Sequence, residues 1–132
     1  MTVFTRPCDD GGLEITIKLT AAEADEAPLM AELFDTYLWA LGMLRTGSNS
    51  RDPGSPPPIP GDWASALHSA ERLPARLDGI RVAAIRAFMA AGGNAERLAG
   101  VLRTDPFEAR RRWTELKKQP PSDWERWAHG ES

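Results

Sequence analysis

The chain has 132 residues, 42% of them hydrophobic and 27% charged, and a net charge of −3; this suits one domain, or one small domain with an appendage, and supplies enough apolar material for a core. No apolar run approaches the ~18–20 residues needed to span a bilayer and no basic-then-apolar leader opens the sequence, so a cytoplasmic protein without membrane contact is expected. The single cysteine, Cys8, excludes an internal disulfide and a Cys-rich zinc site.

Taken in order, residues 2–6 and 13–19 read as strands. In the second, Leu13, Ile15, Ile17 and Leu19 alternate with Glu14, Thr16 and Lys18, a pattern that buries one face. Cys8-Asp9-Asp10-Gly11-Gly12 between them is a turn-forming cluster that closes a hairpin. Asp9, Asp10 and Glu14 could also be read as a metal cluster, but this composition is far more often a turn. Cys8 has no basic or histidine neighbour in sequence to lower its pKa, so it reads as a packed or exposed thiol. A two-stranded hairpin is marginal alone and must pack on a helix or pair with another copy.

Residues 20–27 are acidic, and Thr20 with Glu23 has capping-box spacing, which allows a helix to start there. The main helix of this half takes Pro28 as an early residue and runs to about Arg45. Leu29, Met30, Leu33, Phe34, Tyr37, Leu38, Leu41 and Leu44 form its 3.6-residue stripe, widened by Trp39 and Met43. Such a helix can cover the hairpin, bury a face against a second protomer, or do both. Residues 46–61 hold five prolines and three glycines without apolar periodicity, so they read as a flexible, partly extended linker. The chain therefore divides into a hairpin-plus-helix unit at 1–45, a linker at 46–61 and a helical unit at 62–132.

Asp62 caps a helix through about Leu73, with Trp63, Ala66, Leu67, Ala70 and Leu73 on one side. Pro74 interrupts it, because an interior proline lacks the helical N–H and clashes with the preceding turn. A further helix from about 75 to 91 carries Leu77, Ile80, Ala84, Ile85 and Phe88, with Val82 and Met89 off that stripe. Gly92-Gly93 terminates it, and Asn94 caps a helix from Ala95 to about Leu102. After Arg103 and Thr104, Asp105 is the next cap, Pro106 the first helical residue and Glu108 stands at the reciprocal capping-box position. Pro120-Pro121 stops this helix, and Ser122 with Glu125 starts a short one carrying Trp124 and Trp127, which read as a lid on the helical core.

Two helices joined by so short a corner, the second carrying Arg110-Arg111-Arg112, suggest a helix-turn-helix. The stretch from Ile85-Arg86-Ala87-Phe88-Met89-Ala90-Ala91 through Gly92-Gly93-Asn94 to Leu116, within about residues 80–118, resembles the Fis-type helix-turn-helix of bacterial regulators. Ala99 and Leu102 fit the family pattern. Arg103 stands where that pattern has glycine, Thr104 where it has an apolar residue, and Ala109 replaces a larger apolar group whose volume Trp113 refills. The resemblance implies a small bacterial DNA-binding protein, a transcriptional regulator or accessory factor, that acts on double-stranded DNA as a homodimer. The N-terminal unit resembles nothing comparable and is expected to hold the second copy or another protein partner.

A wheel drawn over 106–118 puts Ala109, Trp113 and Leu116 on the core side and Phe107, Arg111, Thr114 and Lys118 opposite. Phe107, Arg111 and Thr114 are the candidates for base contact, since arginine can bond guanine twice and apolar groups can touch thymine. Arg110, Arg112, Lys117 and Lys118 suit phosphates, and Asn94 and Arg97 can add a backbone contact. Residues 1–61 hold 4 Lys+Arg against 9 Asp+Glu, a balance of −5, and residues 62–132 hold 12 against 10, a balance of +2. Positive charge is thus local, as expected of one DNA-facing helix on an acidic body. Lys117 and Lys118 also suit a helix C-terminus for dipole reasons alone. His68 has no partner at catalytic spacing, and no nucleophile–base set, metal-ligand spacing or phosphate loop is present, so neither an enzyme nor a cofactor is expected. The rival reading is a protein–protein adaptor whose helical unit no longer binds DNA. The expected fold is mainly α (α+β overall): a hairpin packed on a long amphipathic helix, a linker, and a C-terminal helix-turn-helix bundle.

Overall fold

The computed structural model describes residues 3–50 and 54–131. Thr2 of the expected first strand and residues 51–53 of the expected linker lie outside them. The protein is mainly α with one small antiparallel sheet, in the order β1 (Val3–Pro7), β2 (Leu13–Ile17), α1 (Ala27–Thr46), α2 (Pro60–Ala90), α3 (Ala95–Leu102), α4 (Pro106–Lys118) and α5 (Asp123–Ala128). It divides into two compact units, Met1–Ile59 and Pro60–Ser132.

In the first unit β1 and β2 pair with Val3 opposite Ile17, Thr5 opposite Ile15 and Pro7 opposite Leu13. Residues opposite one another share a face, so these six form one side of the ribbon. The other side carries Phe4, Arg6, Glu14 and Thr16, where Arg6 Nη2 donates to Glu14 Oε2 at 2.7 Å. The turn closes through Cys8 N donating to Gly12 O at 2.9 Å and Gly12 N donating to Asp10 Oδ1 at 2.9 Å. Asp10 thus completes a turn and Glu14 an ion pair, and no group of three or more metal-ligating side chains occurs among the described residues.

Two expectations for this unit are corrected. The apolar face of the hairpin is not buried on α1: all ten strand residues are exposed. Alternation in β2 fits the sequence for burial, but it does not decide what covers the face. Nor does a helix begin at Thr20. Thr20 and Glu23 do bond reciprocally, Thr20 N to Glu23 Oε1 at 3.1 Å and Glu23 N to Thr20 Oγ1 at 3.3 Å, yet they close only a turn. Glu26 then adopts a left-handed conformation (φ 57°), which no helix propagates, and α1 starts after it with Pro28 in its first turn.

In α1, Leu33 and Met43 are buried. Beyond its end the chain turns back: Trp39 Nε1 donates to Asn49 O at 2.8 Å, and Asn49 N to Pro56 O at 2.7 Å. These bonds tie part of the expected tether to the helix, because an indole N–H in a half-buried position needs an acceptor.

The second unit corrects the expected break at Pro74. α2 runs unbroken for 31 residues with Pro74 inside it. An interior proline costs about 3 kcal/mol, and the packing of α5 along α2 offsets it. Leu73, Arg76, Gly79 and Ala83 are the buried residues of that stretch, whereas Leu77, Ile80 and Ala84 are exposed. Gly79 faces α5 because a Cβ there would sit 2.7 Å from the Trp124 backbone oxygen. The Arg76 guanidinium lies 4.5 Å from the Trp124 ring centre, and the two tryptophan rings meet edge-on at 5.7 Å. The expected lid exists, and its seat is α2.

Candidate nucleic-acid interface

The C-terminal end of α2, α3 and α4 share a small core. Leu98, Ala99 and Ala109 are buried in it, with Ile85, Phe88, Met89 and Leu102 packed around them. Ala109 is fully buried (0% exposed), so the core has closed around a small side chain, while Trp113 and Leu116 beside it are half-buried. This is the inner side of α4 that the wheel assigns. Gly93 passes so close to Phe88 that a Cβ would overlap the ring, which explains the second glycine before α3. Gly92, at φ +99°, takes the left-handed position that ends α2.

Side chains set both helix starts. Asn94 Oδ1 accepts from Arg97 N at 2.9 Å, and Asp105 Oδ1 accepts from Glu108 N at 2.8 Å. Between them Arg103 is left-handed (φ 54°, ψ 49°), and Thr104 N donates to Ala99 O at 3.0 Å to close the end of α3. Arginine therefore holds the backbone conformation that glycine adopts without strain.

All nine residues named as candidates are exposed: Asn94, Arg97, Phe107, Arg110, Arg111, Arg112, Thr114, Lys117 and Lys118. Phe107 is 75% exposed at the first turn of α4, an unusual position for a large aromatic group. Arg97 lies 5.7 Å from the Phe88 ring centre and Lys117 5.8 Å from that of Trp113.

The arginines, however, are engaged. Arg111 Nη2 donates to Glu108 Oε1 at 2.5 Å and Arg111 Nη1 to Glu115 Oε1 at 3.2 Å. Arg112 Nε donates to Glu108 Oε1 at 3.1 Å, and Arg110 Nη2 reaches Glu96 Oε1 of α3 at 3.4 Å. Glu108 thus serves Arg111 and Arg112 with its carboxylate. The bonds from Arg111 and then Arg112 hold its pKa down at about 2, and Glu108 followed by Glu115 raises that of Arg111. The capping-box position of Glu108 does not by itself reveal this role. The three- and four-residue spacings on α4 carry the signal. Glu96 and Arg110 are 14 residues apart, and only the packing of α3 on α4 brings them together.

A second anchor lies behind the exposed face. Arg86 Nε donates to Glu125 Oε1 at 2.6 Å and Arg86 Nη2 to Gln119 O at 3.1 Å, tying the end of α4 and the start of α5 to α2. Glu125 is 3% exposed. Burial pushes its pKa up, but the Ser122 backbone N–H and the Arg86 guanidinium outweigh that and leave it below the ordinary range. No described helix is long and apolar enough to cross a membrane. Set against protein-family models, curated proteins and solved structures, the chain matches none.

Proposed function

We propose that α3 and α4 form a helix-turn-helix of the Fis type and that the protein is a cytoplasmic bacterial DNA-binding factor without enzymatic activity or cofactor. The observation that carries this reading is the outer side of α4. Phe107, Arg111, Thr114 and Lys118 stand exposed on a short helix whose opposite side is locked to α3 through the fully buried Ala109. Such a helix can enter a major groove with its N-terminal half against base edges. Phe107, Arg111 and Thr114 then meet bases, while Arg110, Arg112, Lys117 and Lys118, with Asn94 and Arg97, meet the backbone. The first unit supplies a protein contact, to a second copy or to another protein. The exposed ion pairs on α4 do not forbid DNA binding, because water and phosphate both compete for such arginines.

Selection from a random duplex pool at low salt tests the proposal. The expected result is an enriched sequence whose affinity falls about 10²-fold between 50 and 200 mM salt, as about four phosphate contacts predict. No binding at low salt overturns it. One observation favours a second reading, a protein–protein adaptor: the arginines of α4 are already neutralised by Glu96, Glu108 and Glu115. Capture of a protein partner by a chain that shows no salt-dependent shift of DNA would establish that alternative.

A further inference from the structure

Within the second unit, backbones approach closely between α3 and α4 and between α2 and α5. Among the described residues the α3–α4 pair makes no comparable approach to α2. It meets α2 through side chains, with Ile85, Phe88 and Met89 packed around Leu98, Ala99 and Ala109. A core that buries one leucine and two alanines removes little apolar area from water, and two alanines offer little interlocking shape to fix an angle.

The pair is joined to the rest of the unit at two ends. At the first, Gly92 is left-handed and uncrowded, with nothing near the place a Cβ would take, so the chain can pivot there. At the second, Gln119-Pro120-Pro121-Ser122 links α4 to α5. Two prolines fix their φ angles, so the end of α4 and the start of α5 move together.

α5 therefore supplies the second hold on the pair. Trp124 lies so close to Gly79 that a Cβ there would sit 2.7 Å from its backbone oxygen, and the Arg76 guanidinium lies 4.5 and 5.7 Å from the Trp124 and Trp127 ring centres. The half-buried Arg86 joins three elements. From α2 it donates to Glu125 Oε1 of α5 at 2.6 Å and to the carbonyl of Gln119, which caps α4, at 3.1 Å. Docking is opposed as well as favoured: Arg76 Nε is buried without a hydrogen-bond partner, and such a donor costs about as much as a good bond contributes. A helix of six residues held in this way can open locally while longer helices stay folded.

We infer that α5 is a releasable strap that sets how the α3–α4 pair sits on α2, with Arg86 as its positioning residue. Docked, it holds the α4 surface in place; undocked, it frees the pair to turn at Gly92. The consequence for DNA rests on the helix-turn-helix proposal, whereas the motion does not.

Double electron–electron resonance between nitroxides at Leu77→Cys and Val101→Cys tests the motion in the full chain carrying Cys8→Ser. Both labelled positions are exposed. Gly79→Gln drives a side chain into the Trp124 backbone yet favours the α2 helix over glycine, so it releases α5 without weakening its seat. The expected result is one narrow distance distribution that at least doubles in width in Gly79→Gln and in Trp124→Ala, with helical circular dichroism retained. Ile80→Gln, an exposed position on the same helix, leaves the width unchanged. An unchanged width in both Gly79→Gln and Trp124→Ala overturns the inference. Loss of helical circular dichroism in both also overturns it, because a strap comes off without unfolding what it holds. On a duplex that the unsubstituted chain selects, Gly79→Gln should bind at least tenfold more weakly although no candidate contact residue has changed, and equal affinity overturns the coupling. A chain that selects no duplex defeats the helix-turn-helix proposal alone, and the distance measurement still decides the strap.

Discussion

On the DNA-binding proposal, two side chains govern how the α4 surface meets a polyanion. Arg111 and Glu108 are three residues apart, on one side of the helix, and bond each other at 2.5 Å. With its pKa at about 2, Glu108 stays ionised through the whole range in which proteins are handled, so mild acid does not release Arg111. On the DNA-binding proposal, substitutions at these positions act in opposite directions. Arg111→Ala is expected to weaken a preferred site roughly 10–100-fold and blur its sequence preference. Glu108→Gln keeps the shape but removes the competing charge, so it should tighten binding and steepen the salt dependence, read by titrating labelled duplex at several salt concentrations. Equal slopes before and after Glu108→Gln would show that Arg111 and Arg112 reach phosphate without hindrance. At the corner, Arg103→Gly relieves a left-handed arginine at the cost of extra freedom in the unfolded chain. The expected net gain is about 0.5–1 kcal/mol, measured as a raised denaturant midpoint. Both caps flanking that corner were legible in the sequence, since Asn94 and Asp105 act on N–H groups only three residues away. The left-handed state of Arg103 was not, because arginine rarely adopts it and only the close packing of α3 on α4 imposes it.

At the scale of elements, locality separates what succeeds from what fails. The spans of α3 and α4 follow from caps and stop signals within a few residues of their ends, and the Ser122–Glu125 capping box opens α5 as its spacing predicts. α2 is the counterexample. Its proline is a strong local stop, yet the helix continues, because α5 lays Trp124 against Gly79 and Arg76 on the same side. The local rule loses to packing that begins 50 residues later. This docking rests on Arg86 and Glu125, which gives it a pH dependence of known sign. The Glu125 pKa is lowered in the folded protein, so its contribution is present above the ordinary carboxylate value of ~4.3 and is lost as pH falls through the folded value. An acid titration followed by near-ultraviolet circular dichroism should therefore show the tryptophan signal lost as pH falls below the ordinary carboxylate range. Glu125→Gln should show the same loss near neutrality. An acid-insensitive signal would mean that Trp124 and Arg76 hold α5 without the ion pair.

For the whole molecule, the two units differ in how far they satisfy themselves. The second buries a shared core between α2, α3 and α4 and seats α5 on α2 through an ion pair between the half-buried Arg86 and the buried Glu125. In the first, the strand pair and part of α1 remain exposed, with Arg6 and Glu14 of the hairpin paired on its other side. Net charge is −5 over residues 1–61 and +2 over residues 62–132, so the positive balance belongs to the second unit. The sequence by itself determined the mainly α class, the hairpin, the approximate bounds of α3 and α4 and the inward side of α4. Each depends on caps, turn residues or periodicity, which act over a few positions. Tertiary structure alone decided that α2 runs through Pro74, that α5 sits on Arg76 and Gly79, that Glu96 reaches Arg110, and that the hairpin face stays uncovered. Those outcomes depend on which surfaces meet across long stretches of chain. Apolar spacing marks a face as suited to burial, but the hydrophobic effect is non-directional and does not name the surface that buries it.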